Sequence, residues 1–186
     1  MKRPAVNPGG ASGFSLLELL VTLIVVVLIT ALVTLNIGSG GRDMQLEGQL
    51  RDLAGSATYA LDEAQMLGVD YGLLFYQDSL DGEPVYAYSW MERRAEGWQR
   101  PTSGKEIFAE GNLPVDVELS LELQGAPLEE LSADDVDSAA PQVIFYASGE
   151  VDDGAIDVRR RDNGELLWRL QWDLLGRFEL LRGGEV

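Results

Sequence analysis

Residues 14–37 form an apolar run in which Glu18 is the only charged side chain, and residues 19–37 carry no charge at all. In a helix, at about 1.5 Å per residue, the uncharged part spans roughly 28 Å, close to the ~30 Å hydrocarbon core of a bilayer. The length predicts a transmembrane helix over 14–37. Ahead of it Lys2 and Arg3 are the only charges, which favours a cytoplasmic N-terminus and places the C-terminal remainder of the chain on the far side. A cleaved secretory signal also opens on a basic patch and an apolar stretch, but its apolar region is about 7–15 residues long and ends in a small-x-small site. The run here is longer, and Ala31-Leu32-Val33 through Ile37 offers no such site.

Beyond the run the chain changes character. The protein has 186 residues with 14 Lys and Arg against 31 Asp and Glu; setting aside Lys2, Arg3 and Glu18 leaves 12 basic and 30 acidic side chains after residue 37. A surface this acidic repels phosphate backbones, so no nucleic-acid partner is expected. Cysteine and histidine are both absent. That removes disulfides, thiolate nucleophiles, zinc sites with nitrogen or sulfur ligands, and mechanisms that rely on an imidazole base. With 46% apolar residues, a sizeable folded head remains available.

The order Gly13-Phe14-Ser15-Leu16-Leu17-Glu18 sets a lone acid at the start of the apolar helix. An ionised carboxylate within a membrane costs about 2.5–3.5 kcal/mol on insertion scales, so Glu18 calls for a cation. A plainer reading is also open: an acid in the first turn of a helix suits the macrodipole and could sit at the headgroup boundary of a simple anchor. Taken together, the basic leader, the Gly13–Phe14 junction and Glu18 resemble the type IV pilin superfamily. The resemblance implies cleavage by a prepilin peptidase between Gly13 and Phe14, N-methylation of Phe14, and entry of the helix into a filament. Cleavage would create a cationic amine on Phe14 that Glu18 of a neighbouring subunit could neutralise, offsetting the burial of both charges. Leu35 stands where many major pilins carry a proline. Gly38, Gly40 and Gly41 follow the run, and because glycine costs a helix about 1 kcal/mol relative to alanine, a bend or break is expected there.

From residue 49 to 67, Leu50, Leu53, Ala54, Ala57, Ala60, Leu61, Ala64 and Leu67 recur at intervals of three and four, with Asp52, Asp62 and Glu63 off that stripe. This predicts a second, amphipathic part of the helix, stopped by Gly68. Past it the period falls to two. Val115, Val117, Leu119, Leu121 and Leu123 alternate with polar residues, as do Trp168, Leu170 and Trp172. Shorter strands are expected at 71–76, 85–91, 143–147, 156–160 and 177–181, with 143–147 central because it is apolar on both faces. Asp81-Gly82, Ser148-Gly149, Asp153-Gly154 and Asn163-Gly164 mark turns. The expected organisation is a leader at 1–13, a transmembrane and filament-core helix at 14–37, a linker and amphipathic helix at 38–68, and a β-rich head at 69–186. The fold class is α+β and pilin-like: a long N-terminal helix packed on an antiparallel sheet or sandwich of about seven strands.

Within the superfamily the head is most similar to minor pseudopilins of type II secretion systems. The features that carry this are Ala64 and Gly68 leading into Leu73-Leu74-Phe75, the stretch Pro141-Gln142-Val143-Ile144-Phe145 before Ser148-Gly149-Glu150, and a hairpin between Asp173 and Gly176. The resemblance implies a non-catalytic subunit of a filament that helps export folded proteins, with other pseudopilins, the prepilin peptidase, the inner membrane and exported proteins as partners. A type IV pilus minor pilin is the nearest alternative, and a membrane-tethered hydrolase a more distant one.

The remaining constellations read as structure. The acid-rich segment 128–138 holds Glu129, Glu130, Asp134, Asp135 and Asp137; it could offer oxygens to calcium, but it lacks an Asp-x-Asp-x-Asp-Gly spacing, and a solvated loop is the simpler expectation. The same applies to Asp152, Asp153 and Asp157. No metal or other cofactor is expected. Arg159-Arg160-Arg161 suggests cross-strand pairing to acids rather than a phosphate site. Tyr86, Tyr88 and Trp90 share a strand face and read as core, or as a partner surface if exposed.

Overall fold

The computed structural model describes residues 15–128, 131–136 and 138–184, with the side chains of 31–40 and of Pro127 outside the description. The chain divides into two compact units, Met1–Arg42 and Asp43–Val186. The helix α1, Leu16–Leu67, contributes to each.

In the first unit Ser15 caps α1. Its hydroxyl oxygen accepts the Glu18 N–H at 3.1 Å, and its carbonyl accepts from Glu18 at 3.0 Å and Leu19 at 3.2 Å. Thr22 and Thr30 return their hydroxyls to the carbonyls of Glu18 (2.5 Å) and Val26 (2.7 Å), so these polar atoms of the apolar run are satisfied within the helix. The backbone is helical across Gly38, Gly40 and Gly41, so the expected break is absent. Once a helix is nucleated, each added residue gains a hydrogen bond, and the glycine penalty is not enough to interrupt it. Among the described residues no helix is long and apolar enough to cross a membrane. The described apolar side chains end at residue 30, and the rest of the run, 31–37, lies outside the side-chain description.

In the second unit α1 ends where Gly68 turns left-handed, at φ 68°, with the Gly68 and Val69 N–H groups both donating to the Ala64 carbonyl. The predicted stripe is buried: Leu50, Leu53, Ala57, Ala60, Leu61 and Ala64 all lie inside, and Leu46, one turn earlier, joins them. Leu67 is an exception at 53% exposure, because the helix stops there. Glu63 is the opposite exception: expected off the stripe, it is only 4% exposed.

Among the described residues ten strands succeed the helix: β1 (Tyr71–Leu80), β2 (Glu83–Arg94), β3 (Gly97–Gln99), β4 (Gly111–Asn112), β5 (Val117–Leu123), β6 (Ala126–Pro127), β7 (Val143–Phe145), β8 (Gly154–Arg160), β9 (Leu166–Trp172) and β10 (Phe178–Arg182). One sheet has the order β3-β2-β1-β7, with β4 also on β2; the other has the order β10-β9-β8-β5-β6. The pairings are antiparallel. The seven strands expected from the sequence are all present, and the three additional ones, β3, β4 and β6, are too short to show a period. One core joins the stripe of α1 to Leu73, Trp90 and Phe145 of the first sheet and Leu121, Ile156 and Leu170 of the second.

Three details differ from expectation. Val115 is 43% exposed and precedes β5, because the chain is still turning after Pro114. β7 lies at an edge, not the centre, of the first sheet; after Phe145 the chain turns back through Tyr146 and Gly149, leaving no second long pairing. Gln124 and Gly125, both at positive φ, make the tight β5–β6 turn, where glutamine gives no turn signal. The expected turns at Asp81-Gly82 and Asn163-Gly164 do join β1 to β2 and β8 to β9.

Gly72 is required by contact. A Cβ there would stand 2.3 Å from Pro141 Cγ and 2.5 Å from Pro141 Cβ, whereas a Cβ on the exposed helical Gly55 would meet nothing within 4 Å. Thermal unfolding of Gly72→Ala is expected to show a loss of about 1–3 kcal/mol from overpacking. Gly55→Ala is expected to hold or raise the melting temperature, by up to about 1 kcal/mol of helix propensity.

Candidate functional site

The residues singled out in the sequence are Gly13 and Phe14, for leader cleavage and N-methylation of Phe14, and Glu18, for filament assembly. Gly13 and Phe14 lie outside the described residues. Glu18 occupies the first turn of α1, with its backbone N–H held by the Ser15 cap and its side chain exposed. The helix start is the positive end of the macrodipole, so the carboxylate is stabilised there and still open to a cation. The Ser15-x-x-Glu18 spacing is that of a capping box, a local signal in the sequence that the much stronger apolar run overshadows. Around it, Leu16, Leu17, Leu19, Leu20 and the large apolar residues on to Ile29 are between 45% and 78% exposed. Such a surface needs lipid or other apolar helices to cover it.

In the head, cations tie elements together internally. Arg161 donates from one nitrogen to the carbonyls of Val117 (2.9 Å) and Pro84 (3.2 Å), linking the two sheets. Arg160 pairs with Asp43 at 3.2 Å and Glu165 at 3.5 Å, and Arg159 with Asp157 at 3.0 Å. Arg169 reaches across the strands to Asp157 at 2.9 Å. Arg159 and Arg160 therefore pair with acids, but not across strands as expected: Asp157 is on the same strand as Arg159, and Arg160 reaches Asp43 of α1 and Glu165 at the β8–β9 turn, while Arg161 takes backbone carbonyls instead. Tyr86 and Trp90 are buried and belong to the core.

The acid-rich segment departs from the solvated-loop expectation. Glu129, Glu130 and Asp137 are outside the described residues, and Asp134 and Asp135 are exposed, the latter accepting the Ser132 hydroxyl at 2.8 Å. Val136, however, is buried, and with Leu131 and Ala139 it packs on Leu74 and Met91 in a second small core on the first sheet. The acids dominate the composition of the segment, but its few apolar side chains anchor it. Among the described residues no group of three or more acids is placed to hold a metal ion. Asp152 accepts from the Gln124 amide at 3.2 Å and from the Tyr146 hydroxyl at 3.4 Å.

The buried acid Glu63 is held by the Lys105 ammonium at 2.6 Å, which also donates to the Tyr59 hydroxyl at 2.7 Å. Hydrogen bonds from Lys105 and then Tyr59 hold the Glu63 carboxyl below its ordinary 4.5, and the bond to Glu63 raises Lys105 above its ordinary 10.5. The clamp fastens the segment after β3 to α1. A depressed carboxyl pKa contributes stability that is present above the unfolded value and lost as pH falls through the lowered folded value; the raised ammonium contributes below its unfolded value and loses it at high pH. Lys105→Met is therefore expected to melt below wild type across the neutral range. That deficit should persist at pH 4.5 and close only at lower pH, where Glu63 is protonated in both proteins, as a thermal melt at each pH will show.

No family model matches the chain. It is 27% identical over 183 residues to type II secretion system protein H of Aeromonas hydrophila, covering 94% of this chain and 95% of that protein. It is also 27% identical over 146 residues to the protein of the same name from Pseudomonas aeruginosa, covering 75% and 77%. Among solved structures, the minor pseudopilin EpsH of the Vibrio cholerae type 2 secretion system superposes with a TM-score of 0.59 at 21% identity, covering 76% of this chain and 98% of that one. Escherichia coli GspH superposes with a TM-score of 0.53 at 19% identity, covering 76% and 90%. Along nearly its whole sequence the chain is similar to type II secretion system protein H, and in the fold of its head to the minor pseudopilin EpsH and to GspH.

Proposed function

We propose that the protein is a minor pseudopilin, a structural subunit of a type II secretion pseudopilus that helps export folded proteins across the outer membrane. The observation that carries this is the exposed apolar side of α1 with one acid, Glu18, in its capped first turn. The apolar side chains suit lipid before assembly and neighbouring helices after it, and the lone acid supplies the one specific polar contact. Similarity to the type II secretion relatives favours secretion over a type IV pilus.

In this reading a prepilin peptidase cuts between Gly13 and Phe14, and the new amine, N-methylated on Phe14, meets Glu18 of an adjacent subunit. Two charges that are each costly in an apolar medium neutralise one another there. The subunit is a single-pass inner-membrane protein before extraction, with Lys2 and Arg3 on the cytoplasmic side and the acidic head in the periplasm. Its partners are other pseudopilins, both minor tip subunits and the major pseudopilin, together with the peptidase and exported proteins. The head supplies shape and contacts, and no chemistry.

Intact mass of protein purified from membranes with its native peptidase is expected to show loss of Met1 to Gly13 and one added methyl group; a retained leader overturns the reading. Glu18→Ala is expected to be cleaved yet excluded from filaments, measured as loss of crosslinking to the major pseudopilin. Incorporation at the wild-type level would remove the charge-pairing mechanism.

A further inference from the structure

The outer edges of β1 and β5 are covered to different extents. On β1, residues 71–73 pair with β7, and the Gln77 N–H donates to the Leu131 carbonyl at 2.7 Å. Between them the Gln142 amide stands in for a strand, accepting the Phe75 N–H at 2.7 Å and donating to the Phe75 carbonyl at 2.8 Å. On β5 the cover is shorter. β6 pairs with residues 122 and 123, and the Leu128 N–H donates to the Leu121 carbonyl at 3.0 Å. Towards the start of the strand the Arg161 guanidinium donates to the Val117 carbonyl at 2.9 Å. Successive residues of a strand turn their backbone groups to opposite edges, so Leu119, midway between Val117 and Leu121, directs its N–H and C=O to this same outer edge. Among the described residues neither group has a hydrogen-bond partner there.

A cleft runs beside this edge. Its inner part, about 50 Å³, is walled by Phe75, Tyr86, Leu119, Leu121, Leu128 and Leu131. An outer part of about 320 Å³ shares Gln77, Tyr86, Leu119 and Ser120 with it and adds Glu118, Arg159 and Arg161. Arg161 differs from the other cations around it. Arg159, Arg160, Arg169 and Arg177 each have a carboxylate partner. Arg161 has the neutral carbonyls of Val117 and Pro84, no ion pair among the described residues, and a buried Nε without an acceptor. A guanidinium carries five donors, so this one retains capacity for an anion. We propose that the cleft docks an extended segment of a partner protein, which adds to the edge of β5 at Leu119, places a small apolar side chain in the inner pocket and presents an acidic side chain to Arg161. At ~3.3 Å per residue, the two side chains stand roughly two to four residues apart. A strand is the fitting occupant because it brings a backbone donor and acceptor to an open edge, whereas a helix has already used its own. Phosphate-rich partners lack such a backbone, and the net charge of −17 repels them.

The full-length protein in detergent micelles is titrated with fluorescein-labelled hexapeptides of alternating valine and threonine, with one aspartate placed at each position in turn. At least one is expected to bind saturably and about ten-fold tighter than its asparagine counterpart, the effect of losing a hydrogen bond to a charged group. It is also expected to bind several-fold tighter than the same peptide with N-methylated backbone amides, which cannot extend a sheet. Arg161→Gln is expected to abolish the preference for aspartate, while Arg177→Gln, on the exposed β9–β10 turn, keeps it. Hydrogen exchange of the wild-type protein locates the peptide without any variant: the Leu119 amide is expected to exchange several-fold more slowly at saturation. If Arg161→Gln does not fold, the aspartate preference and the Leu119 protection of the wild type decide. The proposal is overturned if no peptide saturates, if the asparagine or N-methylated peptides bind as tightly, if Leu119 gains no protection, or if a folded Arg161→Gln retains the preference. The titration requires no filament, so its result stands apart from the leader and Glu18 experiments.

Discussion

The head depends on burying one narrow apolar stripe of α1 against two sheets. Ala57, Ala60 and Ala64 are each at most 1% exposed, and their small side chains allow strands to approach the helix closely. Leu46, Leu50, Leu53 and Leu61 then fill the space between. Because the stripe is narrow, a single polar intrusion matters. Glu63 enters the buried surface, and the ammonium of Lys105, brought from a distant segment, satisfies it. A buried carboxylate without that partner would carry the full cost of its lost hydration.

The scarcity of cations in so acidic a chain has a structural counterpart. Lys105, Arg160, Arg161 and Arg169 are used as internal ties to buried or half-buried acids and to backbone carbonyls. Much of the negative charge is left on the outside, where it favours solubility and long-range repulsion between like heads.

Elements with a local period are legible in the sequence. The stripe of α1 repeats every three or four residues, β5 and β9 alternate at every second residue, and Gly68 and Gly164 stand at turns requiring positive φ. Glu18 is equally legible, since a single charge in an apolar run stands out at once; the Ser15 cap that organises its turn is a fainter sign beside it. Segments whose fate depends on remote chain are not legible. Residues 143–147 are apolar on both faces and so suggest a central strand, but their position in the order of strands is a matter of pairing. The acid-rich segment suggests solvent, yet Val136 has a pocket to enter because Leu74 and Met91 lie beneath it.

The sequence by itself determined that an apolar helix with one acid precedes an acidic, strand-rich head, because helix, strand and turn preferences are set by neighbours within about four residues. Only the tertiary structure decided that Glu63 is buried, that Arg161 joins two sheets, and that Gln142 takes the place of a strand. The Glu63–Lys105 and Phe75–Gln142 contacts span 42 and 67 residues of sequence. A side chain gives no local sign of a partner that only folding brings within hydrogen-bonding reach.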